Sequence, residues 1–285
     1  MEQYIDGWDI AAQVRMERQN HKGSFFLLEG SNDSETLGKF IDESACSVVI
    51  CYGKGNAIEA LKFLEGDAFP GVLALVDLDY DSVDGVSHDC DSLIHTDHHD
   101  LDMTMFMSRA FVKVLESKGD PARYSESFGE PNRIRDLVLE NCLPIATLRW
   151  LSGRNGWALK FVDLDFEFIS VKDFKCNDGL LIEAVLRNSS PKARAASEAF
   201  LRSSFRPTRD HLLSVFCNGH DAIQILGIGL LHCFGKLKEH QVWRSKIELE
   251  FRAIFGIEEF VSTGIYDSIR DWESENVPYQ VLRAH

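Results

Sequence analysis

Two acidic positions stand where unbroken apolar runs end. Glu29 follows Phe25-Phe26-Leu27-Leu28, and Asp77 and Asp79 follow Val72-Leu73-Ala74-Leu75-Val76. Carboxylates of this kind suit Mg²⁺, a hard cation that takes one or two of them and fills its octahedral shell with water. Mn²⁺ is an alternative. Such an ion neutralises phosphate charge and polarises the nucleophile or the leaving oxygen. A carboxylate beside it relays the proton. We read Asp77 and Asp79 as metal ligands and Glu29 as the proton relay, with direct metal binding by Glu29 an equal alternative. In extended chain, residues at i and i+2 point the same way, so Asp77 and Asp79 are expected to converge on one cation.

The sequence supplies its own control. Val162-Asp163-Leu164-Asp165 nearly repeats Val76-Asp77-Leu78-Asp79. There the acids alternate with Leu164, Phe166 and Phe168, a period of two that predicts a half-exposed antiparallel strand with a solvated acidic face. The first D-x-D instead ends an apolar run, which predicts the end of a buried strand.

The elements that must position these acids form a β-α-β-α-β-β pattern. Strands are expected at Phe25 to Leu28, Ser47 to Tyr52, Gly71 to Val76 and Ser92 to Thr96. Helices are expected at Glu35 to Ile41 and Ala57 to Leu64, with Gly53-Lys54-Gly55-Asn56 a turn and Asn56 the cap. The spacing of about 25 residues suits βαβ crossovers and a mostly parallel sheet. In such a sheet, ligands gather beyond the carboxyl ends of the strands, which puts Glu29 and the Asp77/Asp79 pair on one rim.

From Met103 the pattern turns helical. Helices are expected at Thr104 to Glu116, Ile134 to Ser152, Asp178 to Leu186, Ala195 to Ser203, Ala222 to Lys238 and Gln241 to Phe255. A strand or hairpin is expected at Trp157 to Val171, and His220 with Asp221 as the cap of the next helix. Ser117 to Arg133, with two glycines and two prolines, reads as a linker. The fold class is therefore α/β, with a catalytic domain over 1–116 and a mainly helical domain over 117–285.

The net charge of −15 argues against a non-specific nucleic-acid coat protein, though not against a metal-dependent nuclease. Charge is uneven: from Arg187 to Arg209 six basic residues face only Glu198. That strip is either a solvated surface or, through Arg202 and Arg206, a phosphate contact. Lys54 is likewise either an exposed turn lysine or a phosphate contact on the rim. His95, His98 and His99 cluster with Asp97 and Asp100, which reads as a polar loop near that rim. Seven cysteines without C-x-x-C spacing favour a reducing cytoplasm over a disulfide or zinc framework. Neither a secretory leader nor a membrane span is expected. Gly53-Lys54-Gly55 lacks P-loop spacing, and no G-x-S-x-G occurs. None of the six tyrosines, Tyr4 among them, has a setting that marks a topoisomerase nucleophile.

Taken together, Phe26-Leu27-Leu28-Glu29-Gly30 with Asp33, then Gly53-Lys54-Gly55, then Val76-Asp77-Leu78-Asp79 resemble the TOPRIM domain of topoisomerases, primases and OLD-family nucleases over about residues 23–105. The resemblance implies that Glu29 is the general acid/base and that Asp77 and Asp79 hold Mg²⁺. It makes Asp33 the accessory acid of the OLD-like branch and Asp81 the third member of a D-x-D-x-D. Asp102 follows Thr96 to Leu101 where relatives carry glutamate, which makes it, like Asp81, a further metal ligand and accessory acid of the same centre. With Asn218-Gly219-His220-Asp221 and a helical C-terminal half, the layout resembles stand-alone bacterial TOPRIM proteins, a branch that includes the nuclease effector of PARIS anti-phage systems. That branch implies a toxic endoribonuclease that cleaves tRNA, an ABC-type ATPase partner and a homodimer when active. A DNA-directed nickase and a catalytically silent binding or sensor subunit are the alternatives.

Overall fold

The computed structural model describes residues 5–235 and 244–284. It divides into two compact units, one of Met1–Leu101 with Gly256–His285 and one of Asp102–Phe255. The expected boundary after residue 116 therefore moves to Leu101/Asp102, and the C-terminal segment returns to the first unit.

In the first unit, α1 (Gly7–Glu17) starts where the Asp6 carboxylate accepts the Asp9 N–H at 3.0 Å. Its Ile10, Ala11 and Val14 join the core under the sheet. The strands are β1 (Ser24–Leu28), β2 (Cys46–Ile50), β3 (Val72–Val76) and β4 (Leu93–His95), all parallel and ordered β2-β1-β3-β4. β1 and β3 are buried along their whole length, which is why their sequences show no alternation.

Two helices begin earlier than their sequences suggest. α2 (Ser31–Leu37) starts directly after Glu29-Gly30, because the Asp33 carboxylate reaches back to the Gly30 N–H at 2.9 Å. α3 (Lys54–Gly66) starts at Lys54, since Gly53 adopts φ +126°, a backbone open to glycine. Asn56 is not the cap; its amide donates to the Cys51 carbonyl at 3.0 Å. A one-turn helix, α4 (Asp81–Asp84), comes after β3.

The second unit is mainly helical. The helix expected at Thr104 to Glu116 is two, α5 (Leu101–Met107) and α6 (Ala110–Lys118). Ser108 breaks it, its hydroxyl donating to the Met105 carbonyl at 2.7 Å and accepting the Ala110 N–H at 3.0 Å. The expected linker holds α7 (Pro121–Ser127) and the start of α8 (Pro131–Asn155). Its prolines occupy first-turn positions, where a missing N–H costs nothing, so they open helices rather than break them.

The acid-alternating stretch is not a strand. Asp163 takes a left-handed backbone at φ +55°, and only β5 (Ile169–Ser170) and β6 (Lys175–Cys176) pair. The loop is pinned to α9 (Asp178–Asn188), where the Asn188 amide donates to the Val162 carbonyl at 2.7 Å and Arg187 pairs with Asp165. α10 (Pro191–Ser204), α11 (Leu213–Phe216), α12 (Gly219–His232) and α13 (Arg244–Ile254) complete the unit. The expected helical residues 236–238 and 241–243, like Tyr4, lie outside the described residues.

α12 is capped by Asn218, whose side-chain oxygen accepts the Asp221 N–H at 3.3 Å. Asp221 is buried and holds Arg149 of α8 in a two-pronged pair at 2.7 and 2.9 Å. Removing Arg149 strands a buried carboxylate, so Arg149→Ala is expected to cost about 3–5 kcal/mol in urea unfolding.

The chain then returns to the first unit as α14 (Ile257–Phe260) and α15 (Gly264–Glu275). Glu273 fastens the end: one carboxylate oxygen accepts the N–H of Val281 at 2.6 Å and of Leu282 at 2.7 Å. Leu282 in turn bridges to Ile41. Both N–H groups are buried, so Glu273→Ala is expected to destabilise the unit by roughly 2–4 kcal/mol and to expose residues 276–284 to limited proteolysis.

Candidate active site

All four strands run the same way, so the segments after them share one edge of the sheet. From β1 the chain crosses to β2 on one side, then to β3 on the other, which makes the gap between the β1 and β3 ends the topological switch point. Glu29 and Asp77 are the first residues past those two ends.

They are bonded to each other. Glu29 Oε1 accepts the backbone N–H of Asp77 at 2.7 Å. The Glu29 carbonyl accepts the Gly53 N–H at 2.9 Å, tying in the loop after β2. Burial pushes the Glu29 carboxyl up to about 7; the Asp77 N–H and Lys54 pull against this, while Asp79 and Asp33 add to it. Asp77 accepts the Leu101 N–H at 3.2 Å and is also pushed well above the ordinary carboxylate range. Burial is the largest cause, followed by the charges of Asp100, Glu29, Asp33 and Asp79.

Asp79 does not repeat Asp77. Its backbone is left-handed at φ +49°, and its N–H donates to the His99 carbonyl at 2.7 Å. The i, i+2 argument fails there, because β3 has already ended. The Asp79 carboxylate meets Lys54 Nζ at 3.0 Å and lies 3.9 Å from His99 Nε2. Lys54 also reaches Asp81 at 2.8 Å and the Leu78 carbonyl at 3.3 Å. It thus clamps the loop after β3 from the first turn of α3, instead of standing as an exposed turn lysine. Burial opposes the charge on Asp81, but hydrogen bonds from Lys54 and His88 hold its carboxyl below the ordinary range.

Of the accessory acids, Asp33 faces its own helix start while adding to the negative potential at Glu29 and Asp77. Asp102 joins the second unit, where it meets His220 at 3.0 Å. Arg202 pairs with Glu198 at 2.8 Å on an exposed surface, and Arg206 donates to the Phe205 carbonyl.

Sequence reading passed over Asp100 as part of a polar loop. It is buried, and its charge is the largest one acting on Asp77. The available signal was its place beyond a fourth strand, blurred by the shortness of that strand's apolar run. His99 is also buried and packs edge-on against Tyr80 with ring centroids 4.8 Å apart.

Among the described residues, ligand atoms gather within 4.8 Å of one another in two mixed sets, Asp81 with His88 and His95, and Asp102 with His220 and Glu248. Glu29, Asp77 and Asp79 form no such closed cage. The Asp79 carboxylate is instead taken up by Lys54. No family model matches the chain, and no curated protein matches it. No helix among the described residues is long and apolar enough to cross a membrane.

Proposed function

We propose that the chain is a Mg²⁺-dependent phosphodiester-cleaving enzyme of the TOPRIM type. The observation that supports this most is the Asp77 N–H to Glu29 bond at the switch point, which ties two half-buried acidic residues together beyond two parallel strands. A purely structural strand end has no need of a carboxyl that burial drives up to about 7.

Asp77 and Asp79 would hold the cation, which when bound neutralises phosphate charge and activates an oxygen. The remaining work falls to side chains of the chain itself. Glu29 Oε1 is fixed by the Asp77 N–H, so Oε2 is the atom that takes and returns a proton. Asp100 and Asp33 keep the rim negative and so favour cation entry. Lys54 keeps the Asp79 and Asp81 carboxylates in place through two ion pairs.

The substrate class comes from the resemblance: nucleic acid, with tRNA favoured over DNA, and an ABC-type ATPase that holds or releases the activity. The chain would then act as a toxic anti-phage effector in the cytoplasm. The test is growth and total RNA in cells expressing the chain with its genomic neighbour, wild type against Glu29→Ala. Released wild type is expected to arrest growth and fragment a discrete tRNA, and the variant to do neither. Equal behaviour of the two proteins would replace this reading with a binding subunit.

A further inference from the structure

We propose that Asp102, His220 and Glu248 form a metal site in the second unit, built for a first-row transition dication such as Mn²⁺ or Zn²⁺. The three side chains come from the first turn of α5, the first turn of α12 and the middle of α13. His220 Nδ1 lies 2.8 Å from Glu248 Oε1 and 3.0 Å from Asp102 Oδ2, and all three atoms are within 4.8 Å of one another.

One nitrogen carries at most one hydrogen, so Nδ1–H cannot serve both carboxylates squarely. The same geometry suits a shared cation. Ligands about 2.1 Å from a six-coordinate ion stand about 3.0 Å from their neighbours, the separation seen here. The Asp102 and Glu248 side chains are each only 11% exposed. The His220 side chain is 41% exposed, so an ion in solution can reach it. An imidazole among the ligands selects Mn²⁺ or Zn²⁺ over Mg²⁺. Asp81, His88 and His95 form the weaker rival, because Lys54 already sits 2.8 Å from the Asp81 carboxylate.

This site does not depend on the nuclease reading. The test starts from the full chain carrying Glu29→Gln and Asp77→Asn, which silences the rim acids. It is equilibrated with Mn²⁺ or Zn²⁺ alone, and bound metal is measured by elemental analysis. About one ion per chain is expected, with pulsed EPR of the Mn²⁺ form showing coupling to an imidazole nitrogen. Adding His220→Gln or Glu248→Gln should weaken binding more than roughly 100-fold, while adding His88→Gln with His95→Gln should leave both signals intact. The last arm decides the matter even where a triad variant fails to fold. Absence of bound metal in the starting variant would overturn the site and leave the nuclease reading untouched. So would a nitrogen coupling that survives His220→Gln or vanishes with His88 and His95.

Discussion

Asp77→Asn is expected to raise the melting temperature of the metal-free protein while removing its response to Mg²⁺. The carboxyl is half-buried, and the charges of Asp100, Glu29, Asp33 and Asp79 each resist its ionisation. Asparagine keeps an oxygen to accept the Leu101 N–H and discards the charge. Linkage sets the sign. Glu29 and Asp77 both bind their protons more tightly folded than unfolded, so their contribution is fully present at low pH and is lost as pH rises. For Glu29 the window runs from 4.5, its ordinary value, to about 7. Metal-free wild type should therefore melt progressively lower across that window, and Glu29→Gln and Asp77→Asn should each flatten the slope. Above it, Mg²⁺ should restore wild type through binding to the folded state. A gain of about 2–4 °C for Asp77→Asn near neutral pH corresponds to roughly 1 kcal/mol in a chain of this size. Scanning calorimetry in EDTA and in Mg²⁺ reads both effects. A variant that melts lower than wild type in EDTA would show that Asp77 is a structural acid.

The largest catalytic effect is expected at Glu29. Glutamine preserves the oxygen that accepts the Asp77 N–H, so the switch point should stay assembled. The group that exchanges a proton is lost. Loss of a general acid/base lowers turnover by about 10²–10⁴-fold. The loss should fall on kcat and spare KM, since the role proposed for Glu29 is proton transfer and not substrate grip. Glu29→Asp, one methylene shorter, should lose the Asp77 bond as well and unfold earlier. A rise in KM with kcat unchanged would instead assign Glu29 to substrate grip.

Much of the sheet is legible in the chain because burial on both faces erases alternation. Phe25 to Leu28 and Val72 to Val76 could hardly be anything but central parallel strands, and the acids at their ends inherit a shared edge from that. The loop after β3 is not legible in the same way. Asp79 turns left-handed because its N–H is drawn to His99, twenty residues on, and Lys54 reaches it from another helix. Neither partner leaves a local pattern. The strand expected around Asp163 and Asp165 fails for the opposite reason, since a good local period had no neighbouring strand to pair with. The return of the C-terminal segment rests on pairs such as the Gly264 N–H with Asp97 and Arg283 with Phe40 and Ile41, far apart in sequence. Asp102 likewise reads as one more rim acid until His220 and Glu248 are seen beside it.

If Glu29 and Asp77 form a metal-dependent phosphodiester-cleaving centre, cleavage must need both the cation and Glu29. The most direct measurement incubates the purified chain, together with the proposed ATPase partner, with total tRNA and supercoiled plasmid in one tube. Parallel tubes contain Mg²⁺ or EDTA, and wild type or Glu29→Gln. Discrete tRNA fragments are expected with wild type in Mg²⁺ and none in the other three tubes; nicked plasmid in that same tube alone would keep the centre and change the substrate. Products that persist in EDTA or with Glu29→Gln, or the absence of products from every tube, would contradict such a centre.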